Sequence, residues 1–528
     1  MFDWFIRRVL LHGLPPATVQ ACLAHPEVRA LLRFRFAYLF AFHGPVLVPL
    51  LEALGGQHDP ALSVLSLGVA SLAMVVADGP TGLYADRHGS KAALRLGLGL
   101  TCAVLVSFFV LTLVRAKTLA DGHHGPWPPG ILGLLLLEGA IGVSLALLSG
   151  ADTVLFLGVL RRAGIAGLQS SGSEGIGSSI RYIGTMISVA FGALLYDLSA
   201  WLVTQPALRL TLHAGLFLLT LGSQLVALRQ LRSIAEVPPL STTAHGRPGF
   251  RDVVRGLHAL RRFPAFAVQM WLLCLLAAVA LFAVYLFQSP LNRLSADLVR
   301  HSWLFWPTYV TTAVLGYWAC SRGSRDAHRA HDRDIHAARL ADSVARGAEP
   351  SARPPAPAME FIRDQAGPGW AVTMPLSALS LGLLLLYPLV DVVRRTWLDP
   401  GHGLLGALGL VVAAAANCLL FNYVRGFVEP YSAATLVSFT QAHALAVPAS
   451  ILSGFNSLKR GMHFGLSALF YAVRARGTPS SSADPDRDLS RMLLVVVGGL
   501  VLLALPALWG PRLRPTRLAA GTGESLSA

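Results

Sequence analysis

The chain has 528 residues, 54% of them hydrophobic and 13% charged, with 50 glycines, a mean hydropathy of +0.57 and a formal charge of +15. A soluble domain carries about twice that share of charge, and the fraction of surface that a water-soluble globule can bury saturates with size. The composition therefore excludes a secreted disulfide scaffold, a disordered tail protein and a cytosolic enzyme, and points to a bilayer.

The N-terminal stretch sets Phe2, Trp4, Phe5, Ile6, Val9 and Leu10 beside Arg7 and Arg8, which fits an interfacial amphipathic helix and equally a frayed tail. It has no small-residue cleavage site, so no cleavable signal peptide is expected. Twelve apolar runs of membrane-spanning length follow, at about 33–53, 62–85, 93–114, 129–150, 178–199, 206–228, 265–287, 303–320, 370–392, 403–424, 448–472 and 492–510. The fourth can extend through Leu160 as a cytoplasmic helix. With both termini in the cytoplasm, 30 of the 43 Lys and Arg fall on the cytoplasmic side and 11 on the other. This is the positive-inside distribution, so the basic excess is a topology signal and no nucleic-acid partner is expected. The five cysteines, Cys22, Cys102, Cys274, Cys320 and Cys418, are scattered and odd in number, and give neither a disulfide framework nor zinc spacing.

Two polar interruptions organise the chain. Residues 229–264, with Val237-Pro-Pro-Leu240 and Gly246-Arg-Pro-Gly249, form a mid-chain cytoplasmic linker. Residues 321–369 form a second cytoplasmic insertion, rich in Ala, Arg, Asp and His and ending in a proline-rich tether. His328, His331 and His336 in it are a solvated face, since no second cluster closes a metal site; neither a metal nor a cofactor is expected. The expected domains are a tail at 1–32, a six-helix bundle at 33–228, the linker, a second bundle at 265–510 carrying the insertion, and a cytoplasmic tail at 511–528.

An internal repeat supports duplication of the bundles. Gly82-Leu-Tyr-Ala-Asp86-Arg87-His88-Gly89-Ser90-Lys91 follows the second run, and Gly316-Tyr-Trp-Ala-Cys320-Ser321-Arg322-Gly323-Ser324-Arg325 follows the eighth, matching at Gly, Ala, Gly, Ser and a terminal base. Repeats of this kind build many transporters. The first copy resembles the signature loop of the major facilitator superfamily (MFS), Gly-x-x-x-Asp-[Arg/Lys]-x-Gly-[Arg/Lys]-[Arg/Lys]. Asp78-Gly-Pro-Thr-Gly82, Ser149-Gly-Ala-Asp152 and Val447-Pro-Ala-Ser-Ile-Leu-Ser453 are similar to other motifs of its drug-efflux-like branches. The resemblance implies an all-α polytopic membrane protein with twelve transmembrane helices in two six-helix bundles. Three departures stand out. Ser90 and Pro448 replace family bases, and the fourth run carries Glu138 where many proton-linked exporters carry arginine. A charge clamp on Asp152 would then use Lys91 or Arg87.

In that superfamily the first, fourth, seventh and tenth helices line the cavity. The resemblance thus nominates His43, Glu138, Gln288 and Asn417 as substrate or proton contacts. Glu138 comes first, because a charged carboxylate at bilayer depth costs several kcal/mol unless paired, hydrated or protonated. Alternatives are a hydrogen-bonded structural acid for Glu138 and helix–helix adhesion for Asn417. Comparable depths make Asp78 and Lys459 or Arg460 a gate between the second and eleventh helices, or else leave the two bases among lipid headgroups. Motifs for nucleophilic, zinc or nucleotide chemistry are missing, so an enzyme is not expected. The reading is a small-molecule transporter of the inner (cytoplasmic) membrane, monomeric, working by alternating access and proton-coupled efflux. Its rivals are a transporter-derived sensor or scaffold and a polytopic membrane enzyme.

Overall fold

The computed structural model describes residue 4, residues 16–44, isolated positions 47, 50, 51 and 54, and residues 60–123, 127–165, 172–236, 264–287, 307–323, 375–393, 403–442, 448–476 and 489–500, apart from 313, 321, 492 and 499. All regular structure among them is helical. The elements are α1 (Pro16–Ala24), α2 (Pro26–Ala37), α3 (Pro60–His88), α4 (Ser90–Ala120), α5 (Pro128–Ala163), α6 (Gly172–Leu202), α7 (Pro206–Arg232), α8 (Pro264–Leu286), α9 (Pro375–Val393), α10 (Gly403–Ala442) and α11 (Pro448–Arg476). Shorter helical stretches lie at 307–320 and 489–498. Proline opens most of these helices because its fixed φ suits the first turn and its missing N–H would have had no partner there. Gly89 at φ 92° separates α3 from α4, and Gly164 at φ 64° ends α5, backbone values that favour glycine.

Eight described helices are long and apolar enough to cross a membrane; the chain is a multi-pass membrane protein. The mid-chain linker divides the described helices in sequence into two groups, α1–α7 before it and α8–α11 after it. In the first, α3 lies along α5, α4 along α5 and α7, and α2 against α6 and α7; in the second, α8 lies along α10 and α11. Between the groups, α3 packs on α11 and α6 on α10. The span within α8 is 83% buried, against 33% for α4, so α8 is enclosed. α4 turns Leu96, Val106, Val110 and Val114 outward, as a helix facing hydrocarbon does.

Two expectations change. The first run is not one helix: α2 starts seven residues before it and ends at Ala37, and residues 38–44 are turns and irregular backbone. The tenth run does not end at residue 424, because α10 continues through Arg425 and Pro430 to Ala442. At 1.5 Å per residue its 40 residues measure about 60 Å, roughly twice the hydrocarbon thickness. Arg425, expected in a cytoplasmic loop, is therefore a helical residue. The fourth run does extend, as α5, to Ala163. Gln288, the His-rich insertion beyond Gly323, most of the linker, the C-terminal tail and the N-terminal amphipathic stretch apart from Trp4 lie outside the described residues.

Candidate functional site

Several of the charged candidates collect at the end of the bundle where α3 meets α4, here termed the loop end. Gly82 and Asp86 lie in α3, whose last turn carries an exposed Arg87. Lys91 does not reach Asp152 as a clamp. Its Nζ donates to the carbonyls of Arg232 and Ile234 at the end of α7, a favourable place for a cation because unsatisfied carbonyls gather there. Glu236, just past α7, accepts the Lys91 amide at 3.0 Å and so caps the start of α4. A Cβ on Gly89 would lie 2.7 Å from its carboxylate. Where the signature loop usually carries a base, this chain has Ser90, and an acid from a neighbouring segment completes the corner instead.

Asp152 is held by two arginines that lie near the starts of the first and fifth apolar runs. Arg35 Nε donates to Oδ1 at 2.9 Å, and Arg181 Nη1 and the Tyr38 hydroxyl donate to Oδ2 at 2.8 and 2.9 Å. Arg35 also bonds the Asp152 carbonyl at 3.3 Å and covers the Phe156 ring at 3.7 Å. Arg35 and Asp152 are fully buried. This network ties α2, α5, α6 and the break after α2 together. It corrects the expected clamp through Lys91 or Arg87, and it was invisible because Arg35 and Arg181 fall outside the apolar cores of their runs.

The break at 38–44 would strand polar backbone at membrane depth unless other groups met it. α6 meets it: Thr185 donates to the Leu39 carbonyl at 3.1 Å and Ser188 accepts the Ala41 amide at 2.9 Å. Gly184 and Gly192 let the carbonyls of Phe36 and Phe42 touch the helix backbone, since a Cβ at either would overlap those oxygens. His43 stands at the break rather than mid-helix, hydrogen-bonded with Thr220 at 3.1 Å and stacked 5.0 Å from Phe217.

The two groups meet along two antiparallel seams. On α3 and α11, Gly68 faces Ser467, Ser71 bonds His463 at 2.8 Å, Val75 faces Gly461, and Asp78 accepts the Ser457 hydroxyl at 2.5 Å. The partner numbers fall as those on α3 rise, so one register runs through all four contacts. On the other seam, Ser179 donates to the Cys320 carbonyl at 3.2 Å, Tyr182 donates to the Asn422 carbonyl at 2.9 Å and packs on Gly316 and Gly426, and Cys320 Sγ donates to the Gly426 carbonyl at 3.0 Å. Cys320 occupies the place of Asp86 in the second copy of the repeat, and Gly323 that of Gly89; a Cβ on Gly323 would lie 2.7 Å from the Phe427 carbonyl. The degenerate copy is a packing surface for α10.

At the expected gate, Lys459 and Arg460 of α11 lie close enough to Asp78 for their charges to act on it. Asp78 does approach α11, through Ser457, and takes a second hydroxyl from Ser149 at 3.4 Å. Lys459 turns to Glu429 of α10, with both carboxylate oxygens at 2.8 Å. Arg460 is half-buried on the same helix. Glu429 was missed because α10 was taken to stop before it. An acid four residues after Arg425 was the signal that the helix continues.

Glu138 is 1% exposed and its Oε1 has no hydrogen-bond partner. One turn on, Gly142 brings α5 against the Ala70 carbonyl of α3. Asn417 bonds its own helix through Nδ2 to the Ala413 carbonyl at 2.9 Å, leaving a buried Oδ1 without a partner. Each group of helices thus keeps a buried acceptor that the protein does not satisfy. Among the described residues no three metal-binding side chains cluster.

No protein-family model matches the chain, and no curated protein is similar to it in sequence. Among solved structures the chain is similar to the nucleoside transporter NupG (14% identity over 91% of this chain and 98% of that one, TM-score 0.49). It is similar also to a bacterial homologue of the iron transporter ferroportin in an outward-facing state (13%, 92% and 100%, 0.48), and to the MFS transporter FucP in an outward conformation (13%, 90% and 98%, 0.40). With TM-scores below 0.5, these stand as likenesses of helical arrangement only.

Proposed function

We propose that the chain is a secondary active transporter of the MFS type, moving a small molecule by alternating access of two six-helix bundles, twelve spans in all. In this reading the loop end is cytoplasmic and transport is proton-coupled efflux. The observation that carries it is the chemistry of the two seams. Beside apolar contacts such as Tyr182 and Met186 on Gly316, both carry glycine contacts and single hydroxyl bonds, at Gly68, Ser71, Ser457, Ser179 and Gly426, and hydroxyl bonds of this kind can be exchanged when helices part. Glu138 is the proton or cation contact. An unpartnered carboxylate at bilayer depth is expensive, and a proton or a cationic substrate would relieve it. His43 at the break and Asn417 on α10 are further candidate contacts, and Gln288 stays a candidate from the sequence alone.

The test is counterflow in proteoliposomes with a panel of labelled organic cations, organic anions, nucleosides and sugars, run with and without a pH gradient. At least one compound should exchange, and Glu138→Gln should keep the fold while losing gradient-driven accumulation. A Gln variant with unchanged pH dependence would make Glu138 a structural acid. Binding without counterflow would favour a sensor over a transporter.

A further inference from the structure

We propose that the α3–α11 seam is a proton-binding site centred on His463, which holds the seam closed while neutral and releases it when protonated. The inference rests on the reading that the two helix groups separate. It goes beyond that reading in naming a second titrating group, far in sequence from Glu138 and on the other group of helices.

His463 is 2% exposed and hydrogen-bonds through Nδ1 with Ser71 across the seam. In the closed arrangement this bond needs no charge. The surroundings make a charge unwelcome. Its own helix brings Arg460 and Lys459, and α10 brings Arg425, whose field reaches the imidazole together with that of Arg460. The acids near these elements are engaged elsewhere: Glu429 of α10 holds Lys459, Asp78 of α3 takes the hydroxyls of Ser149 and Ser457, and Asp152 of α5 is shared by Arg35 and Arg181. Glu138 is the other acid on the membrane part of α5, and α8 carries no charged residue. An imidazolium here would be a buried cation beside other cations, with no carboxylate bonded to it. Opening the seam admits water to the ring and removes that penalty, so proton uptake and opening favour each other by linkage. The proton comes from the entering aqueous phase. Histidine is suited to this because its proton equilibrium lies in the physiological range.

Cross-linking tests this with no substrate in hand. A Cβ on Gly461 would lie 3.9 Å from Val75 Cγ2, spanning the seam; one on Gly139 would lie 4.0 Å from Val69 Cγ1, joining α3 to α5 within a single group. In full-length protein with its native cysteines replaced by serine, the Val75→Cys/Gly461→Cys pair reports the seam. The Val69→Cys/Gly139→Cys pair corrects for the pH dependence of thiol oxidation. Normalised seam cross-linking should fall by roughly threefold or more between about pH 8 and about pH 5.5, the range in which an imidazole titrates. His463→Asn, which can keep a bond to Ser71 without titrating, should remove the dependence; His463→Gln serves if the Asn variant does not fold. Cross-linking that is equal at all pH values overturns the proposal, and so does a dependence that survives both variants. Either result leaves separation of the groups to be judged by distance measurements, so the two readings can fail independently.

Discussion

Replacing Asp152 by Ala should lower the stability of the protein by about 3–5 kcal/mol, the range found when one member of a buried ion pair is removed. The carboxylate is fully buried and serves Arg35, Arg181 and Tyr38 at 2.8–2.9 Å. Without it, the two guanidinium groups lose the carboxylate they share, and the break after α2 loses its anchor at Tyr38. Arg181→Gln should cost less, because that side chain is 19% exposed and Arg35 still neutralises the acid. The measurements are the apparent unfolding temperature and the monodisperse yield after extraction. An Asp152→Ala protein within about 1 kcal/mol of the parent, the worth of an exposed pair, would show that water reaches these charges.

Gly192→Val should be nearly as damaging for a steric reason. Any Cβ at this position overlaps the Phe42 carbonyl, which is backbone and cannot swing aside. The segment at 38–44 would have to leave α6, giving up the Ser188–Ala41 bond and moving His43 off Thr220. Overpacking of this kind costs about 1–3 kcal/mol where side chains can adjust, and more is expected against fixed backbone. Gly184→Val should behave alike, since its Cβ would overlap the Phe36 carbonyl. Gly215→Ala on α7 is the control: nothing lies within 4 Å of its Cβ, and removing a mid-helix glycine should raise stability by up to about 1 kcal/mol. Equal yields for Gly192→Val and Gly215→Ala would contradict the close approach of the break to α6.

What the sequence disclosed and what it hid follow from what hydropathy measures. The spans from α3 to α9 were visible because each is a long apolar run, and proline marks the start of many helices. The break after α2 was hidden because its polar backbone is satisfied by α6, some 140 residues away, and no local pattern reports such a partner. The only local sign was Gly44-Pro45, which is compatible with a kink. The length of α10 was hidden because charge was taken as a boundary, whereas Arg425 and Glu429 lie on a helix with Lys459 of α11 bonded to the acid. Asp78 and Asp152 were singled out by motif, and both are engaged. The side chains bonded to them, Ser457 and Ser149 on Asp78 and Arg35, Arg181 and Tyr38 on Asp152, were not named, because a motif gives a residue type at a position but not the side chains that face it. Glu236, His463 and Ser457 carried no motif; the start of α4 gives the first its role, and the packing of α3 against α11 gives the other two theirs.

The claim on which the rest depends is that the two helix groups move against each other about the seams. Spin-label distances in lipid test it most directly. One pair uses Ser233→Cys and Arg322→Cys at the loop end, and the other uses Asp121→Cys and Val393→Cys at the opposite end, all exposed positions in a background with the native cysteines replaced by serine. Two distance populations at each end, with the short one at the loop end accompanied by the long one opposite whenever conditions shift the balance, are predicted. A single narrow distance at both ends under every condition would contradict the account and leave a static membrane scaffold.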